Sequence, residues 1–235
     1  MITLSIEQRL DEVRQRIRYA AESCGRDPGD VTLIAVTKTH PPEMMNEAIR
    51  LGITDIGENK PQEVRDKFDK VLPVRWHLIG HLQTNKVKYV IDRCVMIHSV
   101  DSIKLMDEIE RLAVSHSRDM DILIQVNISG ESTKSGIAPE ELESLLSHAE
   151  KLQRTHVKGL MTIAPKAVSG DPGIHFHNMQ LLFEEMKKRS FANVEMRELS
   201  MGMSGDYETA IKYGATLVRV GSAIFGPRSY DVPSE

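Results

Sequence analysis

The chain has 235 residues, 40% of them apolar and 27% charged, a balance that supports one sizeable core and excludes a disordered chain. Its net charge of −4 comes with interspersed signs, so no nucleic-acid or membrane partner is expected. Two cysteines, Cys24 and Cys94, without a CxxC spacing are too few for a disulfide framework or a zinc cluster and read as two buried thiols.

The N-terminus alternates acidic and basic residues without an apolar signal segment, and no apolar stretch approaches a membrane span, which points to the cytoplasm. Ser5 and Gln8 form a capping box. Ile6, Leu10, Val13, Ile17 and Ala20 then recur at spacings of three and four, which predicts an amphipathic helix. Cys24-Gly25 stops it, and Asp27-Pro28-Gly29 turns the chain.

From there short apolar runs alternate with helical patterns. The runs cover 31–36, 53–56, 75–79, 95–98, 122–127, 157–161, 195–199 and 216–220, with helical spacing at 43–51, 103–114, 139–152 and 175–189. Eight strands alternating with helices predict parallel βαβ units, and eight is the number that closes a (β/α) barrel. An open doubly wound sheet would carry a glycine-rich loop after its first strand, where this chain has "TKTHPP". The prediction is therefore a single (β/α)8 TIM barrel over residues 1–235, with an extra helix ahead of the first strand.

Reactive residue types gather after the strands, on the side where active sites of such barrels collect. Lys38 follows the first. Glu58 and Asn59 follow the second, and Gly80, His81, Gln83 and Asn85 the third. Ser99 and Asp101 follow the fourth, Asn127 and Lys134 the fifth, and Thr162 the sixth. The segment "SMGMSGD", with Ser200, Met201, Gly202, Met203 and Ser204, follows the seventh, and Arg219, Gly221 and Ser222 end the eighth.

A lysine at a strand end, partly desolvated, has the lowered pKa that lets an amine form a Schiff base with a carbonyl. The loops after strands seven and eight are the usual place for a phosphate. Gly202 and Gly205 let backbone amides approach a ligand, Ser200 and Ser204 add hydroxyls, Arg219 adds a fixed charge, and Gly221 and Ser222 open a short helix. Lysine and phosphate grip in one mouth suggest a phosphorylated aldehyde, and pyridoxal phosphate fits. Asn59 is placed to bond its ring hydroxyl or the imine region, and Met161, Met201 and Met203 to pack on its faces, unless those methionines only fill the core. A class I aldolase-like use of Lys38 on a sugar phosphate stays open. His77 reads as a packed core residue, Glu58 as a stabiliser of its loop, and His175 and His177 lack the spacing of metal ligands.

The motifs "AVTKTHPP", "IGENKPQE", "WHLIGHLQTNK", "QVNISGESTKSG", "GLMTI", "LSMGMSGDYETAI" and "VRVGSAIFGPR" together resemble the pyridoxal-phosphate homeostasis protein family, in order, from about Ile6 to Tyr230. The resemblance implies a barrel like the N-terminal domain of alanine racemase. It implies pyridoxal phosphate bound as a Schiff base on Lys38, with the phosphate held at Ser204, Arg219, Gly221 and Ser222. It further implies a monomer that holds and releases the cofactor to dependent apoenzymes. Two positions depart from the family pattern: His40 stands where a second lysine is frequent, and Lys60 where a tyrosine is usual. The eight units reach about Phe225, which leaves no room for the second domain that completes racemase sites. A carrier without robust turnover is therefore expected, with a pyridoxal-phosphate-dependent amino-acid racemase of narrow scope as the alternative.

Overall fold

The structure, a computed structural model, describes residues 4–131, 134–165 and 172–226. Residues 132–133 of the "SGESTKSG" loop and the tail from Pro227, with Tyr230, lie outside the described residues. The first helix, α1 (Ile6–Ser23), carries the predicted capping box, and its apolar stripe is buried. Eight strands follow: β1 (Thr32–Val36), β2 (Asp55–Glu58), β3 (Arg75–Leu78), β4 (Cys94–Val100), β5 (Met120–Gln125), β6 (Thr155–Met161), β7 (Val194–Met203) and β8 (Leu217–Val220). All neighbouring pairs are parallel, and β1 closes on β8 through Thr32–Leu217 and Ile34–Arg219 to make a barrel.

Helices α2 (Pro42–Arg50), α3 (Pro61–Lys67), α4 (Ile103–Ser115), α5 (Leu142–Ala149), α6 (Gly173–Lys187) and α7 (Tyr207–Lys212) cover the outside, and α8 (Ser222–Phe225) follows β8. Between β3 and β4 the crossover is only a 3-10 turn, Thr84–Tyr89. Among the described residues no helix is long and apolar enough to cross a membrane.

Two apolar layers result. The larger lies between strands and helices, and a smaller one of Ile34, Met96, Leu123, Met161 and Leu217 fills the barrel. Strands buried on both faces are near-continuous apolar runs, which is why they are visible in the sequence.

Three expectations need correction. The strand expected at 195–199 runs on to Met203, so Ser200, Met201 and Gly202 are strand residues and not loop. Gly202 reads as a turn residue, but its φ of +91° and its missing Cβ serve to bring α7 close: a Cβ there would meet Ala210 and Tyr207 at 2.6 and 2.8 Å. The helix expected at 139–152 is split into a 3-10 turn at Pro139–Glu141 and α5. Finally, Cys94 is buried but Cys24 is exposed. Cys24 caps the C-terminal end of α1, beyond the last buried residues of the stripe, Ala20 and Ala21.

Candidate functional site

A cavity of about 260 Å³ opens at the carboxyl ends of the strands. Lys38 reaches it from the turn after β1, where Thr39 adopts a left-handed φ of +66°. Asn59 lines it from the end of β2. Met203, Ser204 and Gly205 line it from β7 and its loop, and Arg219, Gly221 and Ser222 from β8 and the start of α8. Of the ten residues singled out as binding positions, seven therefore meet in one place. Ser200, Met201 and Gly202 do not reach it: Met201 faces the outer core, and Ser200 is fully buried inside the barrel.

The anion side is built from β7 and β8. The Ser204 hydroxyl oxygen accepts from Gly221 N at 3.1 Å and Ala223 N at 3.5 Å. These N–H groups open the short α8, and a phosphate oxygen offers them the same acceptor chemistry. Arg219 is 3% exposed. Its Nη2 donates to Thr162 O at 2.9 Å, and its Nη1 to Ser200 Oγ. Burial pulls its guanidinium down to about 10, against the opposing pull of Asp206, so it remains a cation at neutral pH.

The remaining walls are apolar. Val36 and Ile79 line the floor, while Met203 and Ile163, each 39% exposed, flank the opening. Exposed apolar side chains beside a polar grip suit a planar ring with a charged tail. Val36, Ile79 and Ile163 escaped the sequence reading, because an apolar residue at a strand end looks like any other core residue until the strands close.

His81 stands at the mouth with Nδ1 3.6 Å from Asp101 Oδ2. His40 packs its ring on Phe225 of α8, with centroids 4.8 Å apart. His77 is a buried, hydrogen-bonded barrel residue, as expected. Glu58 is buried on the outer side of β2, against Lys67 of α3.

The family model described as the N-terminal domain of alanine racemase matches residues 8–229. The pyridoxal phosphate homeostasis protein of Aquifex aeolicus is 42% identical over 226 residues, 95% of this chain and 98% of that protein. Its namesake from Escherichia coli K12 is 38% identical over 231 residues, 96% and 97% of the two chains. The chain belongs to the pyridoxal phosphate homeostasis protein family. Among solved structures, PipY of Synechococcus elongatus with pyridoxal phosphate bound superposes with a TM-score of 0.81 at 31% identity, covering 94% of this chain and all of that one. An alanine racemase from Corynebacterium glutamicum, at 16% identity and a TM-score of 0.64, shares the barrel fold over 63% of its own length. Family membership and the closed barrel agree with the resemblance carried by the motifs.

Proposed function

We propose that this protein binds pyridoxal 5'-phosphate as a Schiff base on Lys38 and holds it for release to apoenzymes, without robust turnover. The observation that carries this reading is that Lys38, Ser204, Arg219 and Gly221 line one cavity. An amine and an anion grip within one small cavity are what a phosphorylated aldehyde requires. At about 260 Å³ the cavity lies just below the roughly 300–1,000 Å³ of ordinary ligand pockets. That size suits a compact one-ring ligand with one edge left in solvent, as a carrier needs.

In this reading the Ser204 hydroxyl and the N–H groups of Gly221 and Ala223 take the phosphate, and Arg219 supplies a fixed positive charge beside them. Asn59 orients the ring from β2, and Ile163 and Met203 shield its faces. The bound cofactor supplies an electrophilic aldehyde carbon, and Lys38 the nucleophilic amine. Racemisation needs an acid or base on each face of the substrate carbon. Among the described residues lining the cavity, only Lys38 and Arg219 have titratable side chains, which supports a carrier over a racemase. Relatives named as homeostasis proteins and the PipY complex support the choice of ligand. A monomeric, cytoplasmic protein completes the proposal.

The test is borohydride reduction of the purified protein, followed by peptide mass spectrometry and native mass spectrometry. A phosphopyridoxyl group on the peptide holding Lys38, lost in Lys38→Ala, is the expected result. A sugar-derived adduct, or none after incubation with pyridoxal phosphate, would overturn it. Steady racemisation of any amino acid, abolished in Lys38→Ala, would favour the enzyme reading.

A further inference from the structure

Arg219 is the end of a longer construction inside the barrel. Its Nη1 donates to Ser200 Oγ, and Ser200 Oγ lies 2.9 Å from His98 Nδ1. His98 Nε2 lies 2.9 Å from His77 Nδ1, and His77 Nε2 lies 2.8 Å from Asp55 Oδ1. Asp55 Oδ2 accepts from Arg75 Nη2 and from the Thr54 hydroxyl, both at 2.7 Å. The five linked residues come from β8, β7, β4, β3 and β2, and none is more than 4% exposed. The chain runs from the cofactor mouth to the opposite end of the barrel, where the Arg75 side chain is 59% exposed.

Its direction follows from chemistry. A guanidinium only donates, so the Ser200 oxygen accepts from Arg219 and its hydrogen is left for His98 Nδ1. An ionised carboxylate only accepts, so His77 Nε2 carries the hydrogen at the other end. Asp55 is ionised: burial works to raise it, but bonds from His77, Arg75 and Thr54 outweigh burial and bring it down to about 2. His98 is neutral: burial first, then the neighbouring His77 and Arg219, holds it well below the ordinary imidazole range. Its one ring hydrogen is therefore on Nε2 and goes to His77 Nδ1. Four links each hold one hydrogen, all pointing from Arg219 toward Asp55.

We infer that Asp55, through His77, His98 and Ser200, is the positioning group that fixes the orientation of Arg219 at the cofactor cavity. The inference rests on the proposed function only for the ligand's identity. Two other groups act on the guanidinium, the Thr162 carbonyl just past β6 and the Asp206 carboxylate at the start of α7. Ser200 is the partner of Nη1, as the Thr162 carbonyl is of Nη2, so the two together fix the plane of the guanidinium. Buried polar networks specify one arrangement when every member is satisfied, and this one is.

The test reads tautomers first. In ¹⁵N-labelled protein without cofactor, long-range ¹H–¹⁵N spectra should show both His77 and His98 with hydrogen on Nε2 and a lone pair on Nδ1. Asp55→Asn keeps the shape but allows the amide to donate to His77 Nε2. That reverses both rings, so Nδ1–H signals should appear. Ser200→Ala should weaken pyridoxal phosphate retention roughly tenfold, the loss of one bond to a charged group, with an unchanged circular dichroism spectrum. Rings in the opposite tautomer or charged in the wild type overturn the inference, and so does full retention in Ser200→Ala. The wild-type spectra decide even where a variant fails to fold. A wild type with the expected tautomers that takes up no pyridoxal phosphate overturns the ligand reading and leaves the positioning chain supported.

Discussion

The Thr37 hydroxyl donates to Glu58 Oε1 over 2.8 Å, tying the residue before Lys38 to the end of β2. Lys67 completes the tie from α3, with Nζ 2.9 Å from Glu58 Oε1, 3.2 Å from Thr37 O and 2.7 Å from Glu63 Oε2. The backbone that carries Lys38 is thus anchored from outside the barrel by a carboxylate with no solvent exposure. Burial pushes Glu58 up to about 7, with the Lys67 charge and hydrogen bond pulling the other way.

The sign of the pH effect follows. The folded-state pKa of Glu58 lies above its ordinary 4.5. Between about 4.5 and about 7 the folded protein therefore holds a proton that the unfolded chain has released. The Glu58 contribution to stability falls as pH rises through that window and stays low above it, by at most about 3 kcal/mol. Asp55 acts in the other direction and elsewhere: with its pKa lowered to about 2, its contribution is complete above about 4 and lost below. Glu58→Gln should remove the Glu58 share of the slope, so the Tm of the variant relative to that of the wild type should rise from pH 5 to pH 8. A constant difference across that range would contradict the buried-carboxylate account.

Gly80 sets the position of Asn59. A Cβ at Gly80 would stand 2.4 Å from Asn59 O and 2.8 Å from Asn59 Cα, backbone against backbone with no flexible side chain to give way. Ser99 Oγ donates to Gly80 O at 2.7 Å and holds the strand end from the other side. Gly80→Ala should cost about 1–3 kcal/mol, as overpacking does, and should weaken pyridoxal phosphate binding by displacing Asn59. Urea melts and a cofactor titration measure the two effects. Unchanged affinity in a destabilised variant would remove Asn59 from the binding set.

The two thiols should react differently. Cys94 is buried, and burial pushes its thiol up to about 12, whereas Cys24 is exposed at the end of α1. Thiolate and access together govern reactivity. An aromatic disulfide reagent should titrate one thiol in the native protein and two in guanidinium chloride. Two fast thiols in the native state would mean that β4 opens readily.

The sequence carried the barrel plainly, because strands buried on both faces are near-continuous apolar runs between turn residues. It carried Lys38, Asn59, Ser204, Gly221 and Ser222 for a related reason: polar and glycine residues just beyond such runs stand out, as does Arg219, the one charge within the last run. It carried the interior chain only in part. His77 was readable as a core residue, but Asp55 and His98 are single polar residues within strands, and their partners lie up to 102 positions away in sequence. Parity holds the clue, since His98 stands two residues from Met96 and Arg219 two from Leu217, which places them inside the barrel once its closure is known. The length of β7 was hidden by Gly202, which has the composition of a turn and the role of a close contact.

α1 packs against α7 and α8 of the barrel, although it precedes the first strand. Its Leu10 is fully buried. Arg26, just past the helix, donates from Nη1 to Ile211 O at 2.7 Å and Ala215 O at 2.9 Å, clamping the turn to α7 and the start of β8. The Arg16 guanidinium pairs with Glu208 of α7. α1 also contacts α8, whose first residue, Ser222, lines the cavity. Leu10→Ala should therefore cost about 2–5 kcal/mol, lower the Tm in one cooperative transition, and speed cofactor loss by loosening α8. An appended helix would behave otherwise: the barrel would keep its Tm, and an early, separate melting step would carry the change.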